Sequence, residues 1–193
     1  MKERIGIFGC TADPFTIAHK AIVEKVLDED LVDEVLIVPT IVTYHRVGKT
    51  AWLDDFQKID VIKKMIMTSK HQDKIFIDTK ELRLKNALSE DELKNRRYYH
   101  TLQRIKEWYG TNNELYTIIG TDSLTNFKTW YKWEELLNDT KLICVDNRDG
   151  VEAKNRELAY CFVNIDPSLN NVSASAIRSR FSSAEEYLKF VKG

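Results

Sequence analysis

Apolar, strand-like runs alternate with segments of helical period along this chain, and that order limits the folds open to it. Six runs are expected to form strands, at residues 4–9, 34–39, 74–78, 116–120, 142–145 and 160–164. Apolar residues recur at helical spacing in five other segments, at residues 18–27, 54–69, 99–108, 175–180 and 184–191. Strands that alternate with helices predict an α/β fold with a mostly parallel sheet and helices on both faces.

Size, charge and cysteine usage indicate the class of protein. The 193 residues suit a single domain over 1–193, with a small C-terminal helical part from about residue 173. A formal net charge of −1 gives no bulk attraction to nucleic acid or to an anionic membrane. The three cysteines form no CxxC pair, and we see no signal peptide or membrane span. We therefore expect a cytoplasmic protein that acts on small molecules, with a homo-oligomer left open.

The loops after the strands are where binding residues are expected. Ligands of such sheets bind beyond the carboxyl ends of the strands, where the strand order reverses about the first strand. Here those loops follow Gly9, Pro39, Gly120 and Val145. The charged stretch at residues 80–97 is expected to be a solvated insertion or a mobile loop.

Two common nucleotide-binding motifs are missing from these loops. Gly48-Lys49-Thr50 resembles the end of a P-loop, but Thr43 stands where that motif requires its first glycine. The turn after the first strand, GIFGCTA, lacks the GxGxxG fingerprint of dinucleotide-binding folds. Any phosphate site must therefore be built differently.

The first turn reads GIFGCTADPFTIAH and resembles the signature of the nucleotidylyltransferase superfamily, G-x-[FT]-x-P-x-[HT]-x-G-H. The matching positions are Gly9, Thr11, Asp13, Pro14, Thr16 and His19. A glycine lets the backbone approach a phosphate, and a helix N-terminus at His19 favours anions. The resemblance implies that Gly9, Thr11, Thr16 and His19 bind ATP and that Thr16 and His19 act in catalysis.

A structural interpretation of the same turn makes Thr16 a helix N-cap and His19 a surface residue. Two positions also depart from the family pattern. Thr16 replaces the first histidine, which removes a cation, and Ala18 replaces the glycine, which adds a methyl group where a ligand could approach.

A second phosphate loop is indicated near the C-terminus. The segment NVSASAIRSRF, residues 171–181, resembles the superfamily's ISSTxIR motif. The resemblance implies that Ser173, Ser175 and Arg178 hold the ATP phosphates, with Arg178 also catalytic. The alternative is an ordinary helix cap with an exposed arginine.

The stretch TIIGTDSLTNFKTWYKWEELL, residues 117–137, resembles nicotinate mononucleotide adenylyltransferases. That resemblance implies that Gly120 and Asp122 contact the nucleotide. It also implies that Trp130 stacks on the acceptor's pyridine ring, while the N–H groups of Trp130 and Tyr131 meet the ring's carboxyl or carboxamide. The alternative is that the tryptophans are packing residues, a role we assign to Trp133.

Shorter matches to the same family add four candidate site residues. Thr101, in YHTL, resembles a pocket residue of the acceptor site. His45 and Arg46 resemble residues that bind the acceptor phosphate, although such a pair in a loop is often only solvated. Arg148, in the loop after the fifth strand, is expected near ATP.

The resemblance implies a Rossmann-like fold of the nucleotidylyltransferase type and a single in-line reaction. The acceptor phosphate attacks the α-phosphorus of ATP, and pyrophosphate leaves, as in NAD biosynthesis. Positioning and stabilisation of negative charge would drive catalysis. Mg²⁺ is expected to arrive with ATP and to keep several waters, without a protein metal site, although Asp13 could be an outer-sphere partner.

Three other functions stay open at this point. A phosphopantetheine adenylyltransferase would share both phosphate loops, and a cytidylyltransferase would differ in its base pocket. A catalytically weakened nucleotide-binding protein would explain Thr16 and Ala18. The sequence leaves nicotinate against nicotinamide undecided, because the expected contacts are mostly backbone.

Overall fold

The computed structural model describes residues 2–40, 51–85, 87–110, 112–146 and 153–192. Within them, six strands form one sheet: β1 Arg4–Cys10, β2 Glu34–Pro39, β3 Ile75–Ile77, β4 Glu114–Gly120, β5 Lys141–Asp146 and β6 Ala159–Asn164. All neighbouring strands are parallel, in the order β3-β2-β1-β4-β5-β6. The predicted α/β fold and all six predicted strands are confirmed.

Helices connect the strands in the same parts of the chain: α1 Ile17–Asp28, α2 Asp55–Met67, α3 Lys80–Leu84, α4 Glu90–Asn95, α5 Tyr98–Tyr109, α6 Thr121–Thr125, α7 Trp133–Asp139, α8 Ala174–Arg178 and α9 Ala184–Lys192. The predicted C-terminal helical part contains α8 and α9, while the single-domain boundary stays a prediction. Across the described ranges, no helix is both long enough and apolar enough to cross a membrane.

Alternating side chains divide the core between the two faces of the sheet. Ile5 and Ile7 of β1 lie in a core cluster with α5, whereas Phe8 lies in the cluster that contains α1. We call these the α5 face and the α1 face. α2 and α9 also pack on the α1 face, and α6 and α7 on the α5 face. Because side chains of a strand alternate in direction, apolar runs of this kind need cover on both sides.

The strand order sets the place of the ligand site. β1 pairs with β2 on one side and with β4 on the other. The connections therefore run outward in opposite directions from β1, which leaves a crevice beyond the carboxyl ends of β1 and β4. The loop that leads into α1 and the segment that leads into α6 meet at this crevice.

The prediction for residues 80–97 is wrong. This stretch is neither solvated throughout nor a loop, because it contains α3 and α4 and buries Leu82 and Leu93 against Ile59. Its charge is also partly internal. Glu81 is fully buried, where Arg96 donates two hydrogen bonds to its carboxylate, of 2.8 and 2.9 Å.

A second arginine completes this buried cluster. The Nη2 atom of Arg104, in α5, lies 2.6 Å from Asp78 Oδ2 and 3.4 Å from Glu81 Oε1. Burial by itself would raise the pKa of Glu81, but the hydrogen bond from Arg96 and the charges of both arginines lower it. Charged residues therefore join this segment to α5, and composition alone did not reveal that pairing.

Candidate active site

Thr16 is the N-cap of α1, as the structural interpretation of the sequence proposed. Its side chain accepts a hydrogen bond from the His19 N–H, and its own N–H donates to His19 Nδ1 at 2.9 Å. The two residues thus satisfy each other's polar groups at the start of the helix. Contact between the Thr16 hydroxyl and a phosphate stays a prediction.

The hydrogen bond from the Thr16 N–H determines which ring nitrogen of His19 carries the proton. Because a backbone N–H can only donate, Nδ1 carries no proton and the neutral ring has its proton on Nε2. The ring packs against Phe15 and Phe8, with distances between ring centroids of 5.2 Å and 5.9 Å. Burial lowers the pKa of His19 to about 4. His19 is therefore a neutral hydrogen-bond donor in the protein without bound ATP.

Asp13 ties this loop to a distant part of the chain. Its carboxylate is 2% exposed and accepts hydrogen bonds from the N–H groups of Trp52 and Leu53, at 3.0 and 2.7 Å. The carboxylate therefore shapes the loop, and an outer-sphere contact with Mg²⁺ stays a prediction.

The methyl group of Ala18 is part of the hydrophobic core. Ala18 is 5% exposed, so its methyl group packs among apolar residues. Its effect on activity stays untested.

Arg178 joins the two predicted phosphate loops. One of its Nη groups donates to the backbone carbonyl of Asp13, and the other donates to Ser175 Oγ at 3.0 Å. Ser173 is the N-cap of α8, where its hydroxyl accepts from the Ala176 N–H at 3.1 Å. Segments that are 165 residues apart in the sequence thus contact each other at the start of α1.

A cleft of about 790 Å³ opens beyond the ends of β1 and β4. It is lined both by residues predicted for ATP and by residues predicted for the acceptor: Gly9, Thr11, Gly120, Thr101, Trp130 and Tyr131. The side chains of His19 and Arg178 border the neighbouring α1 loop and do not line this cleft. Part of each predicted residue set therefore lines one cleft.

At the predicted acceptor end, Trp130 is half-buried beside two aromatic rings. Phe127 lies 5.0 Å away, and Tyr98 packs edge-on at 5.5 Å. The Trp130 N–H already donates to the Phe127 carbonyl at 2.9 Å, in the 3₁₀ turn that precedes it. Of the two predicted amide donors, only that of Tyr131 has no acceptor within the described part of the chain. A contact between the Tyr131 N–H and the acceptor stays a prediction, while the Trp130 N–H could meet the acceptor only by giving up or sharing its bond to Phe127.

Gly120 is the last residue of β4 and the N-cap of α6, and Asp122 lies in the first turn of α6. A Cβ atom at Gly120 would lie only 2.9 Å from Asp122 Oδ1, so the glycine makes room for the aspartate side chain. Gly120 and Ser123 line the cleft, whereas Asp122 is exposed beside it. A contact between Asp122 and a nucleotide stays a prediction.

The remaining predicted residues have different outcomes. Thr101 is buried at the cleft wall, and its side chain also hydrogen-bonds to the Glu81 carboxylate. His45, Arg46 and Arg148 lie outside the described residues, as does the GKT segment, 48–50.

The cleft residues that the sequence analysis did not predict include Thr40, Arg97, Tyr98 and Ser123. Thr40 and Ser123 follow strand ends, a position that could have marked them. Arg97 and Tyr98 could not have been found in this way, because they lie at the start of α5, where the stretch that we interpreted as solvated ends.

Comparison with known proteins agrees with this geometry. The model of the Cytidylyltransferase-like family matches residues 7–180, which include both predicted phosphate loops up to Arg180. Nicotinate-nucleotide adenylyltransferase of Bacillus subtilis is 30% identical over 94% of this chain and 87% of its own. This chain belongs to the cytidylyltransferase-like family, in its nicotinate-nucleotide adenylyltransferase branch.

A solved structure supports the fold of this family member. A Plasmodium falciparum nicotinic acid mononucleotide adenylyltransferase, complexed with NaAD, superposes with a TM-score of 0.72 over 98% of this chain and 89% of its own. Sequence identity is 21%. The sheet order and helix placement are thus those of the family, as the resemblance implied.

Proposed function

We propose that this protein transfers the adenylyl group of ATP to nicotinate mononucleotide, which yields a dinucleotide and pyrophosphate for NAD biosynthesis. One observation carries the proposal: residues of the ATP set and of the acceptor set line a single cleft. A shared cleft is what a direct transfer requires, because the acceptor phosphate must reach the α-phosphorus without an enzyme-bound intermediate.

In this mechanism the protein orients two anions and stabilises the charge that develops between them. His19 Nε2–H would donate to the α-phosphate or to the leaving oxygen. Arg178 would exchange a hydrogen bond to Asp13 or Ser175 for a phosphate oxygen. Both groups are already held in place before ATP binds.

We further propose that Mg²⁺ enters on the ATP phosphates. The described residues hold no cluster of three or more His, Cys, Asp or Glu side chains suited to a metal ion. Water and phosphate oxygens would supply most ligands, and the ion would neutralise charge on the triphosphate. The cytoplasmic location and the oligomeric state stay predictions.

Pyrophosphate release with a panel of substrates tests the function. We expect rapid release with ATP and nicotinate mononucleotide, and little with CTP or with phosphopantetheine as acceptor. Faster turnover of CTP than of ATP would identify a cytidylyltransferase. Faster turnover of phosphopantetheine than of nicotinate mononucleotide would identify a phosphopantetheine adenylyltransferase. Binding of ATP without release for any acceptor would identify a nucleotide-binding protein and contradict the proposal.

Replacing Arg178 tests the phosphate loop. Arg178→Lys keeps the charge but loses the two-pronged guanidinium, so the KM for ATP should rise about tenfold or more. The KM for the acceptor should change much less. Arg180→Lys, two residues later and exposed, is the matched control and should behave as the parent. Equal increases for both substrates in Arg178→Lys would place this arginine elsewhere.

Replacing Trp130 tests the ring-binding surface. If Trp130 stacks on the pyridine ring, Trp130→Ala should weaken acceptor binding by about 1–3 kcal/mol, the scale of base–aromatic stacking. ATP affinity should hardly change. Equilibrium titrations of the two substrates, read beside thermal melts, separate lost stacking from lost packing against Phe127 and Tyr98.

Trp133→Ala is the matched control for this variant. Trp133 is also half-buried, but it does not line the cleft. It should therefore lose stability without losing acceptor affinity. A destabilised Trp130→Ala whose folded fraction binds the acceptor normally would make Trp130 a packing residue.

A further inference from the structure

The cleft contains one charged side chain among the lining residues that the structure describes, and it is Arg97. The other lining residues are apolar, aromatic, small or hydroxyl-bearing. None of the motifs that identified the family includes this position, and the stretch that ends with it was expected to be solvated. A single cation in an otherwise uncharged cleft has a strong effect on which ligands bind there.

Arg97 differs from its two arginine neighbours in its partners. Arg96 is paired with Glu81, and Arg104 is paired with Asp78 and Glu81. Within the described ranges, no carboxylate lies within ion-pair distance of Arg97. Its charge is therefore available to a ligand, whereas the neighbouring charges are neutralised inside the protein.

Hydrogen bonds already orient the Arg97 side chain. One Nη donates to the carbonyls of Lys94 and Arg96, at 2.5 and 2.8 Å. These bonds use the two hydrogens of that nitrogen. They leave Nε–H and the other Nη, which have no acceptor in the described part of the molecule. Those two groups form the side of a guanidinium that binds a carboxylate through two parallel hydrogen bonds.

The position of Arg97 indicates which end of the acceptor it meets. Arg97 is the N-cap of α5, and Tyr98, the next residue, packs edge-on against Trp130. Tyr98 and Trp130 both pack on the α5 face of the sheet. The phosphate loops lie on the other side, because α1 and the residues around Arg178 pack on the α1 face. Arg97 thus belongs to the ring end of the cleft rather than to the phosphate end.

We infer that Arg97 binds the carboxylate of the acceptor's pyridine ring and thereby selects an acidic ring over its neutral amide. This inference rests on the proposed function. A carboxylate would receive two charge-assisted hydrogen bonds from Arg97, whereas a carboxamide carries no negative charge and offers one acceptor oxygen. The segment at residues 80–97 has a function in this view, since the pairing of Glu81 with Arg96 holds the adjacent Arg97 at the cleft wall.

The test compares two acceptors in one variant. In Arg97→Gln, kcat/KM for nicotinate mononucleotide should fall about 10- to 100-fold, the scale of a lost charged hydrogen bond. The value for nicotinamide mononucleotide should change less than about threefold, because a neutral amide gains little from the charge. Arg83→Gln, on the exposed side of α3, is the matched control and should keep the parent's preference.

Other outcomes overturn the inference. An equal loss with both acceptors would mean that Arg97 binds their shared phosphate or only supports the wall, and no loss with either would remove it from the site. If Arg97→Gln does not fold, the two acceptors are compared in Arg97→Lys instead. A single ammonium cannot donate two parallel hydrogen bonds to a carboxylate, so the preference for nicotinate mononucleotide should be lower than in the parent. An unchanged preference overturns the inference. A parent protein without pyrophosphate release from either acceptor would instead reject the proposed function.

Discussion

Replacement of His19 by alanine is expected to lower kcat by about a hundredfold to a thousandfold, the scale for losing one preorganised donor to transition-state charge. The reason is geometric. The Thr16 N–H holds Nδ1, so the proton stays on Nε2, and Phe8 and Phe15 hold the ring. Water cannot supply a donor fixed in this way. Initial rates of pyrophosphate release at saturating ATP and acceptor measure the effect.

His19 also caps α1, so a second variant must separate that role from catalysis. Asparagine has an oxygen that can accept from the Thr16 N–H in place of Nδ1, but no group in the place of Nε2–H. His19→Asn should therefore melt closer to the parent than His19→Ala and lose as much turnover. If His19→Asn keeps turnover within a few-fold of the parent, His19 acts in the cap and not in the reaction.

The protonation state of His19 can be followed directly. Its pKa of about 4 lies below the ordinary 6.5, so its ring resonances should stay those of the neutral Nε2–H form at pH 6. The unfolded chain takes up a proton at this histidine below pH 6.5, whereas the folded protein does so only near pH 4. His19 therefore makes the free energy of unfolding fall as pH decreases through that interval, and His19→Asn should reduce the fall.

Removal of the Glu81 carboxylate is expected to be the most destabilising change outside the active-site loops. Glu81→Ala leaves Arg96 and Arg104 near a buried site without one of their partners, and breaking a buried pair typically costs about 3–5 kcal/mol. Urea denaturation of parent and variant measures the loss. Leu82 and Leu93 pack in the same segment, so α3 and α4 should lose order together with the ion pair.

An ion pair in the same segment provides the control. Glu90 and Lys94 of α4 are four residues apart, and the Glu90 side chain is 86% exposed. Because water and salt screen such a pair, Glu90→Ala should cost a small fraction of the Glu81→Ala loss. Equal losses in the two variants would show that the Glu81 cluster contributes no more than a surface pair.

The unfolding free energy at acid pH should also depend on the Glu81 carboxylate. Arg96 and Arg104 lower the pKa of Glu81 in the folded protein, against the opposing effect of burial. Its stabilising contribution is therefore fully present above the ordinary pKa of 4.5 and is lost as pH falls below that value toward the lowered one. In Glu81→Gln, the decline of the unfolding free energy below pH 4.5 should be shallower than in the parent.

Local sequence predicted the six strands and the two loops that resemble phosphate-binding motifs, although it missed α3 and α4. Strands such as β2, EVLIVP, were recognisable because a strand buried on both faces needs an unbroken apolar run. The cap at Thr16 and the turn from Gly9 to His19 were recognisable because short segments specify turns through their own backbone and side-chain groups. The family followed from these residues, since phosphate-binding loops are contiguous in sequence.

Only the tertiary structure decided how charged and aromatic residues are used. Sequence could not pair Glu81 with Arg96 and Arg104, because a charge run has the same composition whether it faces water or a buried partner. Nor could it show that Asp13 accepts from Trp52 and Leu53, or that the Trp130 N–H is already taken by Phe127.

The same limit applies to the cleft. Arg97 lines it because the buried Glu81 cluster fixes the segment before α5, and Arg178 meets the first loop because the sheet brings together segments that are far apart in the chain. Pairings of this kind depend on long-range packing. No local pattern encodes them.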